Sequence, residues 1–134
     1  MKIYITHCTS IKNDRYKETN EKVAPDILYI GTKIQRFINN CKKKKVKWAI
    51  FSDQYGVWFG NEKHEWYEKH PNHVTESEFE QLVSSAKEKL QNHEVNFYGN
   101  YKSGYFHHLY RKLVDRLRKE GINIKLISKF EEIE

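Results

Sequence analysis

Strand-like and helix-like segments alternate along this chain from one end to the other, and that alternation narrows its possible folds more than any other feature. Lys2 to Thr6 is short, β-branched and aromatic, the pattern of a strand. Thr32 to Cys41 sets Ile34, Phe37, Ile38 and Cys41 at helical spacing, and Lys42 to Lys45 close that helix where cations suit the negative end of its dipole. Val46 to Phe51 reads as a second strand, apolar enough at its end to be buried on both faces. Thr75 with Glu78 makes a capping box that opens a helix running to about Asn92. Val95 to Tyr98 is a third strand. A helix starting at Ser103 or Gly104 carries Tyr105, Leu109, Leu113 and Leu117 and is closed by Gly121. Ile122 to Ile127 alternates apolar and polar, as a fourth strand near an edge would. Each strand stands too far from the next for a hairpin. The expectation is therefore a three-layer α/β/α fold around a four-stranded, mainly parallel sheet with right-handed crossovers.

The remaining segments read as connections. His7 to Asp26 is a long polar loop in which Pro25 breaks any helix, and long ordered loops tend to carry function. Ser52 to Gly60 is a loop with two glycines, and Asn61 to His70 is expected to form a short helix before Pro71. At 134 residues, 1–134 is expected to form a single α/β domain. Only 38% of residues are hydrophobic but 14% are aromatic, so much of the core must be ring surface. No apolar run approaches the ~18 residues that span a bilayer, and Met1 to Ile5 turns polar at Thr6-His7, unlike a signal peptide. Two cysteines, Cys8 and Cys41, give no disulfide framework, so a reducing cytoplasmic setting is expected. The sequence carries no sign of an oligomeric state.

Lysine and arginine number 24 against 18 acidic residues, a formal net charge of +6 that is compatible with a phosphate-bearing partner. The chain has no Walker A loop, Gly-x-Gly-x-x-Gly, Gly-x-Ser-x-Gly or His-Glu-x-x-His, which removes the commonest kinase, dinucleotide, hydrolase and metalloprotease readings. His64, His70 and His73 with Cys8 fit no tight zinc spacing. No cofactor and no metal is expected.

Ligands in open parallel sheets sit beyond the carboxyl ends of the strands. That rule nominates His7-Cys8-Thr9-Ser10 with Lys12, then Ser52-Asp53-Gln54-Tyr55-Gly56, then Gly99-Asn100-Tyr101, and Ser128-Lys129. Cys8 as a thiolate could attack or ligate, its pKa lowered by Lys12 or His7, or it could be a small buried hydrophobe. Asp53 could activate water, or cap loop N–H groups. Thr9, Ser10, Ser52 and Lys12 could meet phosphate or a base edge. Tyr55 could stack on a base where Gly56 lets backbone approach, or be a core ring beside a turn glycine.

Three of these stretches resemble a widespread prokaryotic family of unknown function. The family carries a Ser-Cys-Ser-Lys-type signature, an Ala-Pro-x-x-Leu-Tyr-type segment and an Ile-Leu-Ser-Ala-Lys-Tyr-Gly-Leu segment. Here they read His7-Cys8-Thr9-Ser10-Ile11-Lys12, Ala24-Pro25-Asp26-Ile27-Leu28-Tyr29 and Ile50-Phe51-Ser52-Asp53-Gln54-Tyr55-Gly56-Val57, with weaker likeness through Phe97-Tyr98-Gly99 and Tyr101. Ser10 stands where the family has a lysine, and Asp53-Gln54 where it has Ala-Lys. The family is similar in layout to uracil-DNA-glycosylase-like domains. That resemblance implies a nucleobase or nucleotide site, with N-glycosidic cleavage or base modification as its chemistry. Cys8 as nucleophile or Asp53 as water-activating base would carry the step, Asp53 as a residue of this chain that departs from the family pattern. The alternative from another class is a non-catalytic nucleic-acid-binding module, in which Cys8 and Asp53 are structural only.

Overall fold

The computed structural model describes residues 1–100 and 106–134. In chain order its elements are β1 (Lys2–His7), β2 (Lys22–Val23), α1 (Pro25–Leu28), α2 (Thr32–Lys44), β3 (Lys47–Ser52), β4 (Gly56–Phe59), β5 (His64–Glu65), α3 (Glu76–Lys89), β6 (Glu94–Tyr98), α4 (His108–Lys119) and β7 (Asn123–Ile127). Four successive residues of β1, Ile3 to Thr6, are buried. A strand with no exposed face belongs in the middle of a sheet covered on both sides. β1 lies there, in a five-stranded sheet of order β4-β3-β1-β6-β7. It pairs in parallel with β3 and with β6, and β6 pairs in parallel with β7. Only β4 runs antiparallel, against β3.

The helices are amphipathic and bury one stripe each. Ile34, Phe37, Ile38 and Cys41 of α2 face the core, as do Phe79, Leu82, Val83 and Ala86 of α3. In α4 the buried set is Leu109, Tyr110, Leu113, Val114 and Leu117. These residues join the strands in one hydrophobic cluster. The Thr75–Glu78 capping box is formed, each side chain accepting from the other residue's backbone N–H. Gly121, at φ +95°, turns the chain out of α4. β7 is an edge strand in which Ile124 and Ile127 point inward and Leu126 stays 38% exposed.

Four expectations need correction. The sheet has five strands rather than four, because Gly56–Phe59 forms β4 where the sequence reads as loop. Consecutive strands do form a hairpin: Ser52 pairs with Gly56 across the turn residues Asp53, Gln54 and Tyr55. Three-residue hairpin loops commonly close on a left-handed residue, and Gly56, at φ +71°, supplies it. Asn61 to His70 is not helical; it holds β5, which pairs with β2 in a separate two-stranded sheet. The first long loop is partly structured as well. Pro25 starts α1 instead of breaking a helix, since the first helical position needs no N–H donor. The helix expected from Ser103 or Gly104 begins, among the described residues, at His108 with His107 as its N-cap; Ser103, Gly104 and Tyr105 lie outside the described residues.

Gly56, in the hairpin turn, and Gly31, the N-cap of α2, should differ in their tolerance of a side chain. Gly56→Ala places a Cβ on a left-handed residue and is expected to destabilise by about 1–2 kcal/mol in urea unfolding. Gly31→Ala, at φ −61° with its nearest neighbours 3.6 Å from the added carbon, should stay within about 0.5 kcal/mol of the parent. Equal losses at the two positions would contradict the hairpin geometry.

Candidate functional site

The parallel register of β1 and β3 sets His7 beside Phe51. One residue further on, the Cys8 N–H donates to the Phe51 carbonyl at 2.9 Å, so the ladder extends past the end of β1. Asp53, two residues beyond Phe51, then meets Cys8 at the same rim: the thiol donates to Asp53 Oδ1 at 3.6 Å. Both residues are buried, at 7% and 4% exposure. They form the floor of a cleft of about 300 Å³ whose walls include His7, Thr9, Ser10, Lys12, Lys69, His70, His107 and Tyr110.

Burying a carboxylate is costly unless donors replace its water. Here the nearest donor is uncharged. With the thiol proton directed to Asp53, the Tyr110 hydroxyl, 3.1 Å from the sulfur, donates to Sγ and completes a chain from Tyr110 through Cys8 to Asp53. Burial first, and the charge of Asp53 second, push the Cys8 thiol up to about 11. Tyr110 is likewise raised, first by burial and then by its neighbours Cys8 and Asp53. This reverses the expectation that Lys12 or His7 would lower the Cys8 pKa. At neutral pH Cys8 is a protonated hydrogen-bond donor facing the Asp53 carboxyl group. A second hydroxyl chain lies behind it: Ser52 donates to Tyr67 at 3.2 Å, and the Tyr67 and Tyr29 hydroxyls are 2.5 Å apart.

Histidines build the far wall by capping. His70 accepts from the Asn72 N–H through Nδ1, and His107 accepts from the Leu109 N–H through Nδ1. With Nδ1 accepting, the proton of His107 is on Nε2, which donates to Asn72 Oδ1 at 2.6 Å. Asn72 thus ties the turn at Pro71 to the start of α4. His7 donates from Nδ1 to the Cys8 carbonyl at 2.9 Å and stacks on Tyr110 at 4.9 Å. Burial lowers the pKa of both His7 and His107. Among the described residues no three His, Cys, Asp or Glu side chains gather as metal ligands would.

Of the residues nominated from sequence, Cys8, Asp53, Thr9, Ser10 and Lys12 line this one cleft. Ser52, Tyr55 and Gly56 do not. Ser52 is fully buried beneath it, its hydroxyl accepting from the Gln54 and Tyr55 N–H groups. Tyr55 stacks on His64 at 4.1 Å and donates to the Glu65 carbonyl, so its ring is already packed. Gly56 faces Leu82 of α3 and serves the hairpin. Tyr101 lies outside the described residues. Sequence reasoning missed Tyr110 and the wall residues Lys69 and His70. The signal for Tyr110 was its place three residues after His107, on the same helical face; nothing local marked Lys69 and His70, which arrive through the turn at Pro71. No family model, no curated protein and no solved structure matches this chain.

Two measurements test this electrostatic picture. At pH 8 a thiol titrating near 11 holds about 100-fold less thiolate than one at 9, so alkylation of Cys8, followed by peptide mass spectrometry, should be slow and should accelerate up to about pH 11. Asp53→Asn removes the neighbouring charge and should move that profile to lower pH; an unchanged profile would contradict the contact. Separately, the unfolded chain takes up protons on His7 and His107 near 6.5 while the folded chain resists them. Stability is therefore present above about 6.5 and declines as pH falls below it. His107→Asn, which keeps a capping side chain, should flatten that decline in denaturant titrations between pH 7 and 5.

Proposed function

We propose that the protein binds a nucleobase or nucleotide in the Cys8–Asp53 cleft and acts on it by cleaving an N-glycosidic bond. One observation carries the reading: a buried carboxylate lies at the floor of a concave site, hydrogen-bonded by a neutral thiol and walled by neutral histidines. Glycosidic cleavage builds positive charge on the sugar ring as the bond to the base breaks. Asp53 opposes that charge across a medium of low dielectric, and as general base takes a proton from the water whose oxygen bonds to the anomeric carbon. The base departs with the electron pair of the broken bond and takes a proton from solvent water, to which Asp53 returns the one it removed. Cys8 is a positioning residue, holding Asp53 Oδ1 through its thiol proton. Thr9, Ser10 and Lys12 supply polar groups for the base edge. Tyr55, already stacked on His64, has no part in the assignment.

Two further points support this reading. The three segments that carry the resemblance, around residues 8, 25 and 53, all sit near the cleft or behind it: Tyr29, at the end of the middle segment, reaches Tyr67 and through it Ser52. The layout of uracil-DNA-glycosylase-like domains, a three-layer α/β/α sandwich, is our reading of the architecture too. It rests on α2 packing against β1 and β3 while α3 packs against β4 and α4.

The experiment is chromatographic detection of free base after incubation with a panel of nucleosides and nucleotides. Asp53→Asn should reduce release about 100- to 1000-fold while binding changes little. Cys8→Ser, which keeps a donor, should retain most activity, and Tyr55→Phe all of it. Binding without base release in the parent, unaffected by Asp53→Asn and falling steeply with salt, would instead establish a non-catalytic nucleic-acid-binding module.

A further inference from the structure

A second cavity, of about 530 Å³, opens beside the first at the carboxyl ends of β1, β6 and β7. His7 and Thr9 line both, so one ligand can occupy the two together. The chemistry of the outer cavity is different. Lys33 and Arg36 of α2 and Lys129 after β7 line it, no carboxylate does, and none of the three cations is in an ion pair among the described residues. Glu132, which follows in the chain, is committed to the N–H groups of Ser128 and Lys129. The first turn of α2 carries no acidic residue. The Arg36 guanidinium is set over the Phe130 ring at 5.2 Å, and that ring stacks on Tyr98 at 4.8 Å, so the cation is held in place at the cavity before any ligand arrives. The Thr9 hydroxyl, on the shared wall, is buried with no hydrogen-bond partner among the described residues.

The opposite flank of the cleft lacks this character. A cavity of about 660 Å³ there presents Lys12, Lys17 and Lys69, but Asp14 and Glu68 line it as well and Lys69 is already paired with Glu78. Among the described residues, cations without a lining carboxylate thus lie on one side of the cleft. A nucleic-acid strand threaded through the cleft would place phosphates on both sides; a mononucleotide places its phosphate on one.

We infer that the outer cavity is a phosphate subsite, built from Lys33, Arg36 and Lys129, and that the substrate is a free nucleoside monophosphate whose base enters the Cys8–Asp53 cleft. The identity of the base end rests on the reading above; the phosphate subsite rests on the cavity itself.

Calorimetry on the intact protein at fixed ionic strength separates the two. The probes are inorganic phosphate, a panel of nucleosides, the matching nucleoside 5′-monophosphates and a short single-stranded oligonucleotide. Inorganic phosphate should bind, and a monophosphate should bind at least about tenfold tighter than its nucleoside. Both gains should vanish in the double variant Lys33→Gln, Arg36→Gln, whose side chains are exposed and whose fold is checked by thermal melting. Lys17→Gln should change nothing. Equal affinity for nucleoside and monophosphate, with no phosphate binding, overturns the subsite and leaves the nucleobase reading standing. Phosphate binding that is lost in the double variant, with no nucleoside affinity, keeps the anion site and sinks the nucleobase reading. An oligonucleotide that binds tighter than any monophosphate and is weakened by Lys17→Gln overturns the one-sided substrate.

Discussion

The parallel ladder between β1 and β3 is the constraint on which the rest of this structure depends. Parallel strands start at the same end and finish at the same end, so whatever follows them shares one rim. The ladder runs from Ile3 opposite Lys47 to His7 opposite Phe51 and is prolonged by the bond from the Cys8 N–H to the Phe51 carbonyl. Forty-five residues separate Cys8 from Asp53 in the chain, yet their side chains are in contact. A shift of one residue in this register would turn the apolar side chains of β1 and the polar groups beyond it to the wrong faces. With Ile3, Tyr4, Ile5, Ala49, Ile50 and Phe51 all buried, the core forbids that shift.

The polar interior at the rim is arranged around the buried Asp53 carboxyl group. Asp53 meets neutral donors, and the groups near it are held in their uncharged forms by the same burial: Cys8 and Tyr110 as acids raised well above their usual range, His7 as a base lowered. Low dielectric strengthens whatever that carboxylate faces next, so a developing cation in the cleft would be favoured more there than in water. The cations sit apart, in the outer cavity and on the opposite flank, where they act on a ligand without neutralising the floor.

Much of the architecture was legible because it follows from periodicity. The strands at Lys2, Val46, Val95 and Ile122 and the Thr75 capping box were readable from local pattern, and the topological rule then joined residues 8 and 53. The hairpin was missed because Gly56-Val57-Trp58-Phe59 is too short to show a period, and its glycine was read as a ligand approach when it serves a left-handed turn. Tyr55 failed as a site residue for a related reason: its partners, His64 and Glu65, come from a two-residue strand that no pattern announces. Lys69 and His70 enter the cleft through tertiary packing alone. Even the sign of the Cys8 shift was not in the sequence, since it depends on burial outweighing the nearby cations.

The Ser52 hydroxyl holds two successive N–H groups of the hairpin turn while the strand pairing secures both of its ends. The carboxylate at the floor is therefore carried by a three-residue hairpin turn anchored from within and at both ends. The facing wall hangs on Asn72, held between two imidazole caps. Any closure of this cleft over a guest must then be asymmetric, like a jaw with one side bolted down: the reacting group keeps its station and adjustment falls to the segment around Pro71.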